Sequence, residues 1–206
     1  MSGAPLHAGV NMQSSMSSRS FLSAAVLGLS LFVSVVGCGE EPSAGEESDF
    51  LGQSESPLWT AFTSEESPPV SCIGARLVAG VACTGRFCDN VAIDCVALSG
   101  LVLRSSSSST PFFSEEGTHE GVCSGNEWMV GLQCHGDFCD NISLRCQDTN
   151  MRPVDCMWTT NQMSEENSPF QVGSIGRPGF FIRGMRCFGS NCDNKTFNIC
   201  RPVVAG

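Results

Sequence analysis

Apolar and polar positions alternate with a period of two through most of the chain. Val91, Ile93 and Cys95 are separated by Ala92 and Asp94, and Ile142, Leu144 and Cys146 by Ser143 and Arg145. This alternation predicts strands with one buried face. A second set, Val81 and Cys83, Leu132 and Cys134, Met185 and Cys187, predicts a partner strand just upstream of each. Between the two strands lies a stretch written three times. It is Cys83-Thr84-Gly85-Arg86-Phe87-Cys88-Asp89-Asn90, then Cys134-His135-Gly136-Asp137-Phe138-Cys139-Asp140-Asn141, then Cys187-Phe188-Gly189-Ser190-Asn191-Cys192-Asp193-Asn194. Each reads Cys, any, Gly, any, any, Cys, Asp, Asn, and suits a hairpin connection. No window holds a sustained helical period, so the pattern predicts an all-β fold.

Corresponding cysteines recur about every 51 to 53 residues, which divides the region after residue 57 into units at 58–107, 108–155 and 156–206. Each unit opens on an aromatic or apolar segment and Ser-Glu-Glu: Ser64-Glu65-Glu66, Ser114-Glu115-Glu116 and Ser164-Glu165-Glu166. These triplets read as solvated turns, and Ser105 to Ser109 as a low-complexity loop between units. The third copy has one extra residue before its last cysteine, which puts Cys200 out of phase with Phe197 and Ile199 and predicts a β-bulge there. One unit of about 50 residues cannot hide its own apolar face. The expectation is therefore a disulfide-rich, three-repeat domain with pseudo-threefold symmetry, a β-prism in preference to a β-trefoil.

The segment Gly-x-x-Cys-Asp-Asn followed by an alternating strand ending in Cys resembles the repeat of the vitelline membrane outer layer proteins. The resemblance covers about 20 residues per unit. It rests on the Gly, the acidic turn and the terminal Cys, and the extra Cys after the Gly loop departs from it. What it implies is the β-prism of three similar units. The Gln-x-Trp signature of trefoils does not occur in the chain.

The chain of 206 residues has 13 Cys, far above cytosolic usage. Three recur in every unit: Cys83, Cys88 and Cys95; Cys134, Cys139 and Cys146; Cys187, Cys192 and Cys200. A fourth varies. Cys72 and Cys123 each stand eleven residues before the next Cys, whereas unit three has Gly176 at that count and carries Cys156 instead. If the two loop cysteines pair with each other, the strand-ending Cys takes the mobile fourth. This gives Cys83–Cys88, Cys134–Cys139, Cys187–Cys192, Cys72–Cys95, Cys123–Cys146 and Cys156–Cys200. The alternative, Cys83–Cys95 with Cys72–Cys88, strains the reach of about 7 Å between Cα atoms. Four-residue spacing between cysteines and unrepeated histidines suit no metal site, so neither metal nor cofactor is expected.

The thirteenth cysteine has another context. Phe21 to Gly37 is uncharged and mostly apolar, shorter than the roughly 20 residues a membrane span needs. It follows Arg19 and ends in Val35-Val36-Gly37-Cys38. This resembles a bacterial lipoprotein signal (residues 1–37, with Met16 an alternative start), in which Cys38 is lipidated and anchors the protein to a membrane. Gly39, rather than Asp, after Cys38 favours the outer membrane or cell surface. Residues 38–57 are acidic and rich in Ser, Gly and Pro, and read as a flexible tether.

Charge narrows the partners. The chain carries 21 Asp+Glu against 11 Lys+Arg, and Lys195 is its only lysine. Without a basic stripe, nucleic acid is excluded as a partner. Asp89-Asn90, Asp140-Asn141 and Asp193-Asn194 are the candidate ligand-binding residues, because both side chains can meet sugar hydroxyls. They are equally suited to finishing the turn by bonding backbone. No nucleophile, base and orienting group stand together, so no enzyme is expected. The sequence supports a lipid-anchored, exported binding module for a glycan or envelope polysaccharide. A structural envelope lipoprotein is the alternative, and a hydrolase comes third.

Overall fold

Three long antiparallel hairpins carry the fold, one from each unit. The computed structural model describes residues 58–206; the signal, Cys38 and the tether expected at 1–57 lie outside the described residues. In chain order the strands are β1 (Leu58–Trp59), β2 (Val70–Ser71), β3 (Arg76–Thr84), β4 (Asn90–Ala97), β5 (Leu103–Ser109), β6 (Glu120–Val122), β7 (Glu127–His135), β8 (Asn141–Thr149), β9 (Met151–Trp158), β10 (Phe170–Gln171), β11 (Phe181–Phe188) and β12 (Asn194–Val204). The hairpins are β3–β4, β7–β8 and β11–β12. None of the described helices is long and apolar enough to cross a membrane.

The strands form three four-stranded sheets, ordered β1-β4-β3-β10, β2-β7-β8-β5 and β6-β11-β12-β9. Each hairpin takes its own unit's leading strand on one edge. On the other edge it takes a short strand from the preceding unit. Unit one gives β2 to β7, unit two gives β6 to β11, and unit three returns β10 to β3. The circle of exchanged strands is closed, so no unit completes its sheet alone. Inward residues of all three sheets meet in one core that includes Val81, Ile93, Leu132, Leu144, Met185 and Phe197. Three separate sheets around a shared core are a prism, not a trefoil barrel.

The exchange explains a glycine repeated in every unit. Gly80, Gly131 and Gly184 stand opposite Gln171, Ser71 and Val122 of the incoming strands, at a register shift in each hairpin. A Cβ on Gly80 would lie 2.8 Å from the Phe170 carbonyl, and one on Gly184 would lie 2.9 Å from that of Gly121. Only glycine lets the donated backbone approach so closely. Side chains then reach across the gap. Gln171 Nε2 donates to Asp94 at 3.1 Å, and Arg145 Nη1 to Ser71 at 2.8 Å.

The six disulfides are Cys72–Cys95, Cys83–Cys88, Cys123–Cys146, Cys134–Cys139, Cys156–Cys200 and Cys187–Cys192, the pairs reached by comparing the units. Their number fits an oxidising compartment, extracellular or envelope.

Four expectations change. Ser105 to Ser109 is not a loop but part of the fully exposed edge strand β5, bonded to β8. Strands β5 and β9 run across the expected joins at 107/108 and 155/156, because each unit begins with its leading edge strand. The irregularity at Cys200 is real, but the extra residue sits on β9: Asp155, with φ 53°, where β9 advances three residues from Met157 to Val154 against two on β12. Within the β11–β12 hairpin the register does not slip for Cys200. Ile199 takes the place of Cys95, and Cys200 packs on the opposite face with Leu77, Trp128 and Phe181. Finally, Gly176 is not the counterpart of Cys72. That place is Val172, whose N–H bonds the Ala79 carbonyl as the Cys72 N–H bonds that of Val130. The count failed because residues 173–176 form an added one-turn 3-10 segment and its cap.

Candidate functional site

The three repeated loops meet at one end of the prism. In each, two consecutive residues are left-handed: Phe87 and Cys88, Phe138 and Cys139, Asn191 and Cys192, all with φ between 54° and 59°. The following Asp N–H closes the turn, to Arg86, Asp137 or Ser190, at 3.2 Å. This is the mirror-image turn that suits right-twisted hairpins. Asn fits such geometry readily, whereas Phe and Cys are held there at a cost of about 1 kcal/mol each. The disulfide across each loop, with Cα atoms 4.8–4.9 Å apart, holds the turn closed.

The six expected ligand-binding residues all lie here, half-buried. Within each pair the Asn amide donates to its own Asp: Asn90 to Asp89 at 3.4 Å, Asn141 to Asp140 at 2.7 Å, Asn194 to Asp193 at 3.4 Å. Each Asn also packs beneath the loop glycine, so a Cβ on Gly85 would meet the Asn90 amide at 2.9 Å. The asparagines therefore finish the turn, and the carboxylates are the groups left for other partners. Asp89 and Asp193 each keep one buried oxygen without a protein partner.

The Ser-Glu-Glu triplets are not plain solvated turns. Two of their first glutamates, Glu115 and Glu165, reach loops of the next unit, in the same direction as the strand exchange. Glu115 accepts from the Asn191 backbone N–H. Glu165 lies against the Asp193 carboxyl and the Phe87 backbone, which together lower its carboxyl from the ordinary 4.5. The second glutamates, Glu66, Glu116 and Glu166, are exposed.

Beneath this acidic end sits a residue that sequence reasoning passed over. Lys195 is fully buried, where the other hairpins carry Val91 and Ile142. Its Nζ donates to the Cys192 carbonyl at 2.5 Å. Burial pushes its ammonium down to about 8, against the pull of Asp193, Glu165 and Glu115. Asp193 is pushed up to about 6, first by burial and then by the Glu165 hydrogen bond and charge. A signal existed: continuing the period of Phe197 and Ile199 back two residues puts the chain's only lysine on the inner face.

Cys88 Sγ and the carboxylates of Glu165 and Asp193 come within 4.8 Å of one another. The donor set does not suit a cation, because Cys88 is oxidised and the two carboxylates already face the buried Lys195 ammonium. Aromatic surface completes the end. Phe87 and Phe138 meet edge to face at 5.5 Å, and Arg86 lies 4.7 Å over Phe87. Phe62 and Phe112 are about half exposed.

Comparison with family models, with curated proteins and with solved structures finds no match to this chain.

Proposed function

We propose that this chain is an exported binding module for carbohydrate, anchored at the cell envelope by lipid on Cys38 and presenting the loop end of its prism to glycan. The observation that carries the reading is that end itself. Three disulfide-closed loops hold carboxylates and an aromatic–arginine stack on rigid strand ends, where neither can collapse inward. Sugar recognition uses this pairing of apolar ring faces with fixed polar groups. The polarity of the domain supports the same reading. Leu58 pairs with Cys95, and β1 runs from there toward the loops, so an anchor before Leu58 leaves the loop end free.

A glycan array that includes purified envelope polysaccharides tests the binding. A discrete set of bound glycans is expected, and a blank array would leave only a structural coat. Metabolic labelling with an alkyne fatty acid tests the anchor. Label is expected on the wild-type protein and none on Cys38→Ala.

A further inference from the structure

One cleft breaks the threefold pattern. It lies at the seam between the Ser-Glu-Glu turn of unit two and the hairpin of unit three, beside the loop end. Its volume is about 640 Å³, and Glu115, His119, Glu120, Arg186, Phe188 and Gly189 line it. That size is ordinary for a small-molecule site. Resting on the carbohydrate reading above, we infer that this cleft is the sugar subsite and takes a single neutral or amino-bearing pyranose ring.

The polar groups are fixed before any ligand arrives. The Arg186 guanidinium lies 4.0 Å over the Trp158 ring. Its Nε donates to Glu120 at 2.8 Å and its Nη2 donates to the same oxygen. Stacked and forked in this way, its guanidinium plane is set at the cleft wall. Glu115 is held by the Asn191 N–H, and the Cys187 N–H bonds the His119 carbonyl at 2.9 Å, which pins the turn to the hairpin. Phe188 supplies the apolar floor. A pyranose offers an apolar C–H face to such a ring and hydroxyls that both donate and accept at its rim, which is what an arginine–carboxylate pair requires.

The other two seams lack the combination. Where unit three has Arg186 and Phe188, unit one has Ala82 and Thr84, and unit two has Gln133 and His135. The leading-strand Trp158 is matched by Trp59 in unit one but by Ser109 in unit two. Among the described residues the chain therefore carries one such site. Glu115 and Glu120 outnumber Arg186 on the cleft wall, and the Lys195 ammonium behind Glu115 is already faced by Asp193 and Glu165, so the cleft is acidic, which disfavours uronic acid and phosphate polymers and suits neutral or amino sugars.

Saturation-transfer NMR and calorimetry on the exported, disulfide-bonded protein test this with cellohexaose, a chitosan hexamer and oligogalacturonate. The neutral or amino hexamer is expected to bind and the galacturonate not. Phe188→Ala should weaken Kd at least about tenfold, and Glu120→Gln several-fold. Arg104→Gln, which removes an exposed pair with Asp148 away from the cleft, should leave Kd unchanged. Phe188→Leu keeps the apolar bulk without the ring and stands in if the alanine variant misfolds. Wild-type binding that survives both Phe188→Leu and Glu120→Gln overturns the cleft alone, as does a loss that appears only when Asp89, Asp140 and Asp193 are replaced together by Asn. Preference for galacturonate overturns the stated ligand class. Failure of the wild-type protein to bind any hexamer or any arrayed glycan overturns the carbohydrate reading and the cleft with it.

Discussion

Units one and two differ from unit three at the point where the donated strand turns back into its own hairpin. In the first two, the residue after the strand is Cys72 or Cys123, bridged to Cys95 or Cys146 with Cα atoms 5.6 Å apart. In the third, the backbone bond is kept, Val172 N to Ala79 O at 2.9 Å, but the pair is Val172 and Ile199, both buried in the core. The backbone path is therefore independent of the bridge. An inner disulfide contributes on the order of 2–4 kcal/mol and a buried Val or Ile about 1.5–3 kcal/mol. The two solutions are comparable, so one unit can drop the bridge without losing the sheet. Its second disulfide moves to the other face, where Cys156–Cys200 ties the edge strand β9 to β12 at the bulge.

The second difference lies deeper: Lys195 where the sister units have Val91 and Ile142. In unit three the ammonium is compensated by the carbonyl of Cys192 and by carboxylates at the loop end. The sharpest way to break the comparison is Val91→Lys. A second ammonium in the same core would be desolvated and repelled by the first. The expected loss is about 3–5 kcal/mol, read as a fall in the urea midpoint at pH 7. A loss under about 1 kcal/mol would show that the acidic end accommodates two cations and that nothing singles out unit three.

The reverse change should be nearly neutral. Val172→Cys with Ile199→Cys gives unit three the inner bridge of its sisters and closes a loop of similar length, but removes two buried side chains. The oxidised double variant is expected within about 1–2 kcal/mol of wild type, and reduction of the added bridge is expected to cost it about 3 kcal/mol. Two free thiols in the folded double variant would mean that Val172 is not the structural counterpart of Cys72.

These contrasts also show what the chain makes legible. The hairpins follow from alternation at Val91–Cys95 and Ile142–Cys146, and the number of units from the thrice-written loop. The strand exchange was hidden, because β2, β6 and β10 are two or three residues long and carry no period of their own. Only Gly80, Gly131 and Gly184 marked where they dock. Strand β5 was hidden for the opposite reason. Its serines are exposed on both faces, so hydrogen bonding to β8 alone makes it a strand. At the loop end the Asp-Asn pairs were visible, but the direction of the glutamates and the cleft at Arg186 and Phe188 depend on contacts between units that no local pattern encodes.

The smallest expected effect concerns the carboxyl pair that only unit three is shown to form. Asp193 binds its proton more tightly in the fold, at about 6, than its ordinary value of 3.8. Its contribution to stability is therefore fully present below about pH 3.8 and lost as pH rises through about 6. Glu165 shifts the other way, lowered from 4.5 chiefly by its hydrogen bond to Asp193, so its contribution falls away only as the pH drops below that value. Between pH 4.5 and 6.5 the Asp193 loss dominates. Because the pair is near solvent, screening keeps the effect small, and Tm should fall by about 1–2 °C across that window relative to Asp193→Asn. The amide still donates to Glu165 but cannot titrate. Parallel profiles for the wild-type protein and Asp193→Asn would show that the carboxyl pair does not share a proton.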